Sequence, residues 1–205
     1  MPTIPFSRRQ WLGVSALGCG CALASSGGFV AGAAAAPIPP GYTPPEGVTD
    51  LSKAPGLRSK LLGGGEGQTR SYAVILGKGD EIMSGMTAFA RRERLQAAHF
   101  TAIGAIERGL FGWFDKEVKA YRNLPMNDQA EVVSLAGDIG LVNGAPAVHV
   151  HAVVILADGT ARGGHLLEAN VWPTLEVFLT DYPAPLLKEL DAATDLYLFQ
   201  PEARG

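Results

Sequence analysis

Val148-His149-Val150-His151-Ala152-Val153-Val154-Ile155-Leu156, followed by Ala157-Asp158-Gly159-Thr160-Ala161-Arg162-Gly163-Gly164-His165-Leu166, is the stretch that decides how this chain folds. Val148–Leu156 is apolar and β-branched, the signature of a buried strand. Alternate residues of a strand share a face, so His149 and His151 project together. Two imidazoles on a rigid strand are part of a metal site. Whether His165 joins them depends on the turn.

Ala157-Asp158-Gly159-Thr160 is a hairpin signal. A two-residue loop of Asp158 and Gly159 pairs Ala157 with Thr160 and puts His165 on the wrong face. A three-residue loop, with Gly159 left-handed, pairs Leu156 with Thr160. His165 then falls opposite His151 and diagonal to His149, at Cβ separations of roughly 5 and 7–8 Å. A one-residue bulge at Gly163-Gly164 restores the same facing by another route. Either device converges three neutral imidazoles, a donor set suited to a divalent ion. Zinc, with one position open to water or substrate, is the expected metal.

The N-terminus leads to the expectation that this chemistry lies outside the cytoplasm. Ser7-Arg8-Arg9-Gln10-Trp11-Leu12 precedes an apolar stretch to about Ala24 and small residues through Ala36. That is the n-region, h-region and small-residue end of a signal peptide, with paired arginines of the twin-arginine type. Residues 1–36 are expected to be this leader, cleaved at Ala31-Gly32-Ala33, and the mature protein to be periplasmic or secreted. Cys19 and Cys21, the only cysteines, both lie within it. Cleavage therefore removes disulfide and thiol chemistry. Ala16-Leu17-Gly18-Cys19 is a looser match to a lipoprotein site, its leucine one place late.

The formal charge is −3, and the leader contributes Arg8 and Arg9, so the mature chain stands at −5. Such a balance lacks the basic footprint of phosphate-backbone binding. Arg91-Arg92-Glu93-Arg94 is the one dense basic cluster, on an amphipathic helix where it reads as a solvated face. No segment past the leader approaches the ~20 apolar residues of a membrane span.

Residues 37–67, rich in proline and glycine, read as a linker. A single domain is expected over 68–200, ample for one core. Its elements are a strand at Ser71–Leu76, a helix from about Glu81 to Ala98 with Ile82, Met86, Phe89 and Ala90 as its apolar stripe, and paired strands at Phe100–Ile106 and Leu110–Phe114. Tyr121–Pro125 reads as a loop. Strands are expected at Ala130–Leu135, Ile139–Val142, Thr174–Leu179 and Leu196–Phe199, with a short helix at Pro183–Leu190. Many strands on short turns, without βαβ alternation, give an α+β fold on a mostly antiparallel sheet.

Glu131 and Arg162 are candidate acid/base and anion-holding groups. His99, at the end of the long helix, is a candidate fourth ligand or outer base. Their alternative roles are a strand-edge ion pair, a solvated turn residue and a charge at a helix C-terminus.

Gly79-Asp-Glu-Ile, Ala102-Ile-Gly104-Ala, Glu131-Val-Val-Ser-Leu-Ala-Gly137-Asp, Gly144-Ala-Pro146-Ala-Val-His149-Val-His151, Asp158-Gly-Thr-Ala-Arg-Gly163-Gly-His165-Leu and Thr174-Leu-Glu176-Val together resemble the plants-and-prokaryotes-conserved (PPC) domain. The resemblance spans roughly Arg70 to Phe199. It implies an antiparallel sheet flanked by helices and a homotrimer, with Glu176 in trimer packing. Plant members add an AT-hook, and many bacterial members carry a DNA-binding label. This chain has no R-G-R-P-type hook, which argues against nucleic acid as a partner of an exported protein. Some prokaryotic members are similar in placing a metal on the set that maps to His149, His151 and His165. The fold also resembles acetolactate decarboxylase, a zinc protein. The expectation is an exported metal-site protein of undefined activity, for which a small-molecule lyase or hydrolase is one option. A DNA-binding protein or a non-catalytic periplasmic binding module is the alternative.

Overall fold

The computed structural model describes residues 37–202, so the leader expected at 1–36 lies outside the described residues. The elements in chain order are β1 (Tyr42–Thr43), β2 (Arg58–Gly63), β3 (Arg70–Gly77), α1 (Ile82–Arg92), β4 (Ala98–Asp115), β5 (Ala120–Met126), β6 (Ala130–Val142), β7 (Ala145–Ile155), β8 (Ala161–Asp181), β9 (Lys188–Asp191) and β10 (Leu196–Phe199). Eight of the strands form one sheet in the order β1-β5-β4-β6-β7-β8-β3-β2, and a further β4–β8 pairing closes it on itself. Every ladder in it is antiparallel. β9 and β10 make a separate hairpin. The fold is the expected α+β class, with one short helix among the described residues where flanking helices were expected.

Alternation sorts the sheet into two faces. Val150, Ala152 and Val154 of β7 are buried, as are Phe100 and Ala102 of β4 and Val132 and Leu135 of β6. With Ile82, Met86, Phe89 and Ala90 of α1, the apolar stripe expected from sequence, they form one hydrophobic core. The intervening residues, His149 and His151 among them, stand on the opposite face.

The helix is shorter than its periodicity suggested, because both ends are set by specific bonds. Glu81 is the N-cap, accepting from the N–H groups of Met83 and Ser84. At the other end Arg94 turns left-handed with φ 53°, and Leu95 N–H returns to the Ala90 carbonyl. This closure drives Leu95 into the core, fully buried.

Four other expectations change. Phe100–Ile106 and Leu110–Phe114 do not pair around Gly109 but run on as β4, because β8 accompanies them for most of their length. Tyr121–Pro125 is strand β5, not a loop, paired with the second half of β4. Pro183–Leu190 holds no helix, and its end is strand β9. Within 37–67, β1 pairs with β5 and β2 with β3, so part of the expected linker is sheet.

Candidate metal centre

The turn uses the three-residue device. Leu156 N–H donates to the Thr160 carbonyl, Gly159 N–H donates back to Leu156, and Gly159 sits at φ 82°. His151 therefore pairs directly with His165. The Gly163-Gly164 pair is not a bulge in this ladder; it is there for clearance. A Cβ on Gly163 would strike the Ala152 carbonyl, and one on Gly164 would lie 2.7 Å from the Gly112 carbonyl oxygen. β8 at this level is held between β7 and β4, with His165 also paired to Gly112. Only backbone without side chains fits that squeeze.

The three imidazoles converge. Ring centroids lie 5.0 Å apart for His149–His151, 5.1 Å for His149–His165 and 5.3 Å for His151–His165. One ligand atom from each falls within 4.8 Å of the others. Side-chain rotation closes that spacing to the ~3.3 Å between nitrogens of a tetrahedral zinc site.

Each ring has a different support. His149 Nδ1 lies 3.0 Å from Asp138 Oδ2, its partner across the β6–β7 ladder. A carboxylate there fixes the ring with Nδ1–H donating and Nε2 free. The second oxygen of Asp138 accepts from Lys188 Nζ. Burial pushes the Asp138 carboxyl up, but its bonds from His149 and Lys188 win and hold it below the ordinary value. His165 is stacked against the Tyr121 ring, 4.2 Å between centroids and 13° from parallel. Its Nδ1 is buried and hydrogen-bonded to nothing in the protein. Burial, then the neighbouring His149 and His151, push its pKa down to about 3. His151 is lowered by burial and by His149. At neutral pH, His151 and His165 are therefore uncharged bases with lone pairs, the state a metal ligand requires.

The other expected site residues stand apart. Glu131 is exposed near the far end of β6, about 20 Å from Asp138 along the strand. Arg162 pairs with the buried Val154, so it leaves the hairpin on the face opposite His165. There it lines a cavity of about 390 Å³ with Phe111, Leu124 and Met126. His99 is in β4, not at a helix end. It is aligned with Asp138 and one strand further from His149. Its Nδ1 is engaged by the Tyr182 hydroxyl at 3.1 Å, and it does not join the imidazole group. A bulge at Leu167 precedes Glu168, which is exposed.

Asp138, Lys188 and Tyr121 escaped the sequence reading. Asp138 was discoverable: once β6 and β7 are known to be neighbours, alternation and register put it opposite His149. Lys188 and Tyr121 arrive from distant strands and carry no local signal.

The sequence pattern of the Plants and Prokaryotes Conserved (PCC) domain matches residues 63–183, more than half of the chain. The chain belongs to this family. A PPC protein of Pyrococcus horikoshii has a similar structure, with TM-score 0.61 and 27% identity over 70% of this chain and 94% of that one. A candidate DNA-binding protein of Bacteroides thetaiotaomicron aligns at TM-score 0.65 and 25% identity, over 71% of this chain and 99% of that one. A metal-containing protein of Archaeoglobus fulgidus aligns at TM-score 0.60 and 26% identity, over 70% and 98%. No curated protein matches the sequence. All three histidines and Asp138 fall inside the matched PPC segment, and Lys188 lies beyond it.

Proposed function

We propose that this PPC-domain protein holds one divalent ion on His149, His151 and His165, zinc by the chemistry of the donors, and acts on a small oxygen-bearing molecule. The observation that carries this is the buried, unpartnered Nδ1 of His165 within a cluster of imidazoles. A buried polar atom without a partner costs about 1–3 kcal/mol and calls for an explanation. The metal-containing Archaeoglobus relative supports the same reading. When bound, such an ion supplies Lewis acidity that polarises a carbonyl or carboxylate oxygen or activates water. The chain's own part is to keep His151 and His165 neutral, to orient His149 through Asp138, and to wall one side with Tyr121.

Export through residues 1–36 and a homotrimer belong to the same proposal. Ile103 and Phe178 are each about 60% exposed and Val133 and Val153 about half, on the sheet face away from α1. Apolar side chains so placed suit a contact between copies. None of the described helices is long and apolar enough to cross a membrane.

The test is metal content of the purified protein by inductively coupled plasma mass spectrometry, beside His165→Ala. About one ion per chain, lost in the variant, is expected; undiminished metal in the variant would sink the assignment. A reporter fused to residues 1–36 tests export, and light scattering tests the trimer. DNA binding is the second reading, favoured by the Bacteroides relative. Duplex binding with a steep salt dependence would support it. Against it, Arg92 of the basic cluster is spent on Glu93 and Ser59.

A further inference from the structure

We infer that Lys188, carried by the β9–β10 hairpin, is a positioning residue for the imidazole centre. It clamps Asp138, and through Asp138 it sets the ring orientation and the proton position of His149. The inference rests on the metal-site reading for its consequence but on geometry for its existence.

The hairpin is docked where this clamp requires. Leu141 of β6 bridges to Leu187, and Leu141 N–H donates to the Leu186 carbonyl at 2.9 Å. Gly140 provides the room: a Cβ there would sit 2.5 Å from the Phe199 ring and 3.2 Å from Lys188 Cε. The lysine stem thus crosses the strand beside Asp138, and its side chain is only 6% exposed. The ammonium has two partners, Asp138 Oδ1 and the face of Phe199 at 4.5 Å from the ring centre. Removing an ammonium from water is expensive unless it is paired and hydrogen-bonded. A hairpin that needed only to adhere would do so with an apolar side chain. The charge is instead spent on one oxygen of a carboxylate whose other oxygen faces His149.

With Oδ1 taken by Lys188 and Oδ2 by His149, the carboxylate cannot swing. His149 Nδ1 faces a pure acceptor, so in the neutral ring the proton sits on Nδ1 and Nε2 is the free nitrogen. Without Lys188, Asp138, whose side chain is 32% exposed, turns Oδ1 toward water and loosens its hold on the ring.

The experiment compares wild type with Lys188→Met, and with Lys188→Gln, which is one atom shorter and stops short of Oδ1. Long-range nitrogen–proton spectra of the metal-free protein read the His149 tautomer. Chelator competition reads the zinc dissociation constant of the loaded protein. Wild type shows His149 as one Nδ1–H tautomer. In either variant an Nε2–H population appears and zinc binding weakens about 10-fold or more, the scale seen when a ligand's supporting partner is removed. Lys188→Arg, which keeps charge and reach, restores both. A single Nδ1–H tautomer together with zinc affinity within about 2-fold of wild type, in whichever variant folds, overturns the inference. Should wild type bind no zinc, the metal reading fails, and the metal-free tautomer comparison still decides the role of Lys188.

Discussion

The entry to α1 and the imidazole centre both take ionisable groups out of water, and they treat them differently. At the entry to α1, Asp80 and Glu81 are nearly fully buried, and every oxygen is met by backbone. Asp80 accepts from Gly56 and Gly77 N–H, each at 2.8 Å. Glu81 accepts from Met83, Ser84 and, 88 residues away in sequence, Ala169. At the imidazole centre, by contrast, one ring is tied to a carboxylate while another keeps a buried nitrogen bonded to nothing. The first arrangement consumes its donors and acceptors in holding strands and helix together. The second leaves a buried ring nitrogen without a protein partner in a residue whose ring stands among two other imidazoles. An orphan atom alone does not make a site. Asp181 Oδ1 is also unpartnered, yet its carboxylate is already met by the Arg70 guanidinium.

Breaking each region should produce opposite signatures. The largest effect expected is on metal: His165→Ala lowers zinc affinity at least ~100-fold, because three protein ligands become two. Its metal-free stability changes far less, a pattern that denaturant titration and chelator competition separate. Glu81→Ala is the mirror image. It strands three buried N–H groups and costs about 3 kcal/mol in urea unfolding, while the folded fraction keeps its zinc stoichiometry. A variant at Glu81 that lost metal at unchanged stability would erase the distinction drawn above.

Acid separates the two regions by sign. His165 has its folded pKa pushed to about 3 against about 6.5 unfolded, so between those values the unfolded chain binds the proton first. Its contribution makes the metal-free protein lose stability as pH falls from about 6.5 toward 3. Burial raises Glu81, and its backbone bonds offset that only in part. The folded state there holds the proton more tightly, so the Glu81 contribution falls as pH rises above the ordinary carboxylate value. Stability measured against pH should therefore lose acid sensitivity in His165→Ala and gain it in Glu81→Gln. The smallest effect is expected at Tyr121→Leu, which removes the stack on His165 for about 1 kcal/mol and shifts zinc affinity only a few-fold.

The pairing of His149 with His151 was legible before the fold because strand alternation is a local rule; His165 was legible as one outcome of the turn, which the three-residue loop with left-handed Gly159 decided. The apolar stripe of α1 was legible for the same reason. Its length was not, because Arg94 ends the helix by adopting a conformation that arginine seldom prefers. β5 and β9 were hidden as well. Asn123, Pro125 and Glu189 do not read as strand, and these segments extend because ladders with β4 and β10 recruit their backbone. Glu131, Arg162 and His99 looked suitable by residue type, yet strand length, facing and Tyr182 keep them from the centre.

By itself, then, the chain determined an α+β domain of the PPC family and two histidines on one face of one strand, since nearest-neighbour geometry needs no knowledge of distant residues; the loop that brings His165 to that face was settled by the structure. Tertiary structure alone decided what surrounds them. Asp138, Tyr121 and Lys188 reach the centre from β6, β5 and β9, brought there by a sheet that closes on itself and a hairpin docked upon it. Asp138 lies only 11 residues from His149 across the β6–β7 hairpin and follows from its register, whereas Tyr121 and Lys188 come from strands far away in sequence, and no local pattern encodes such separations.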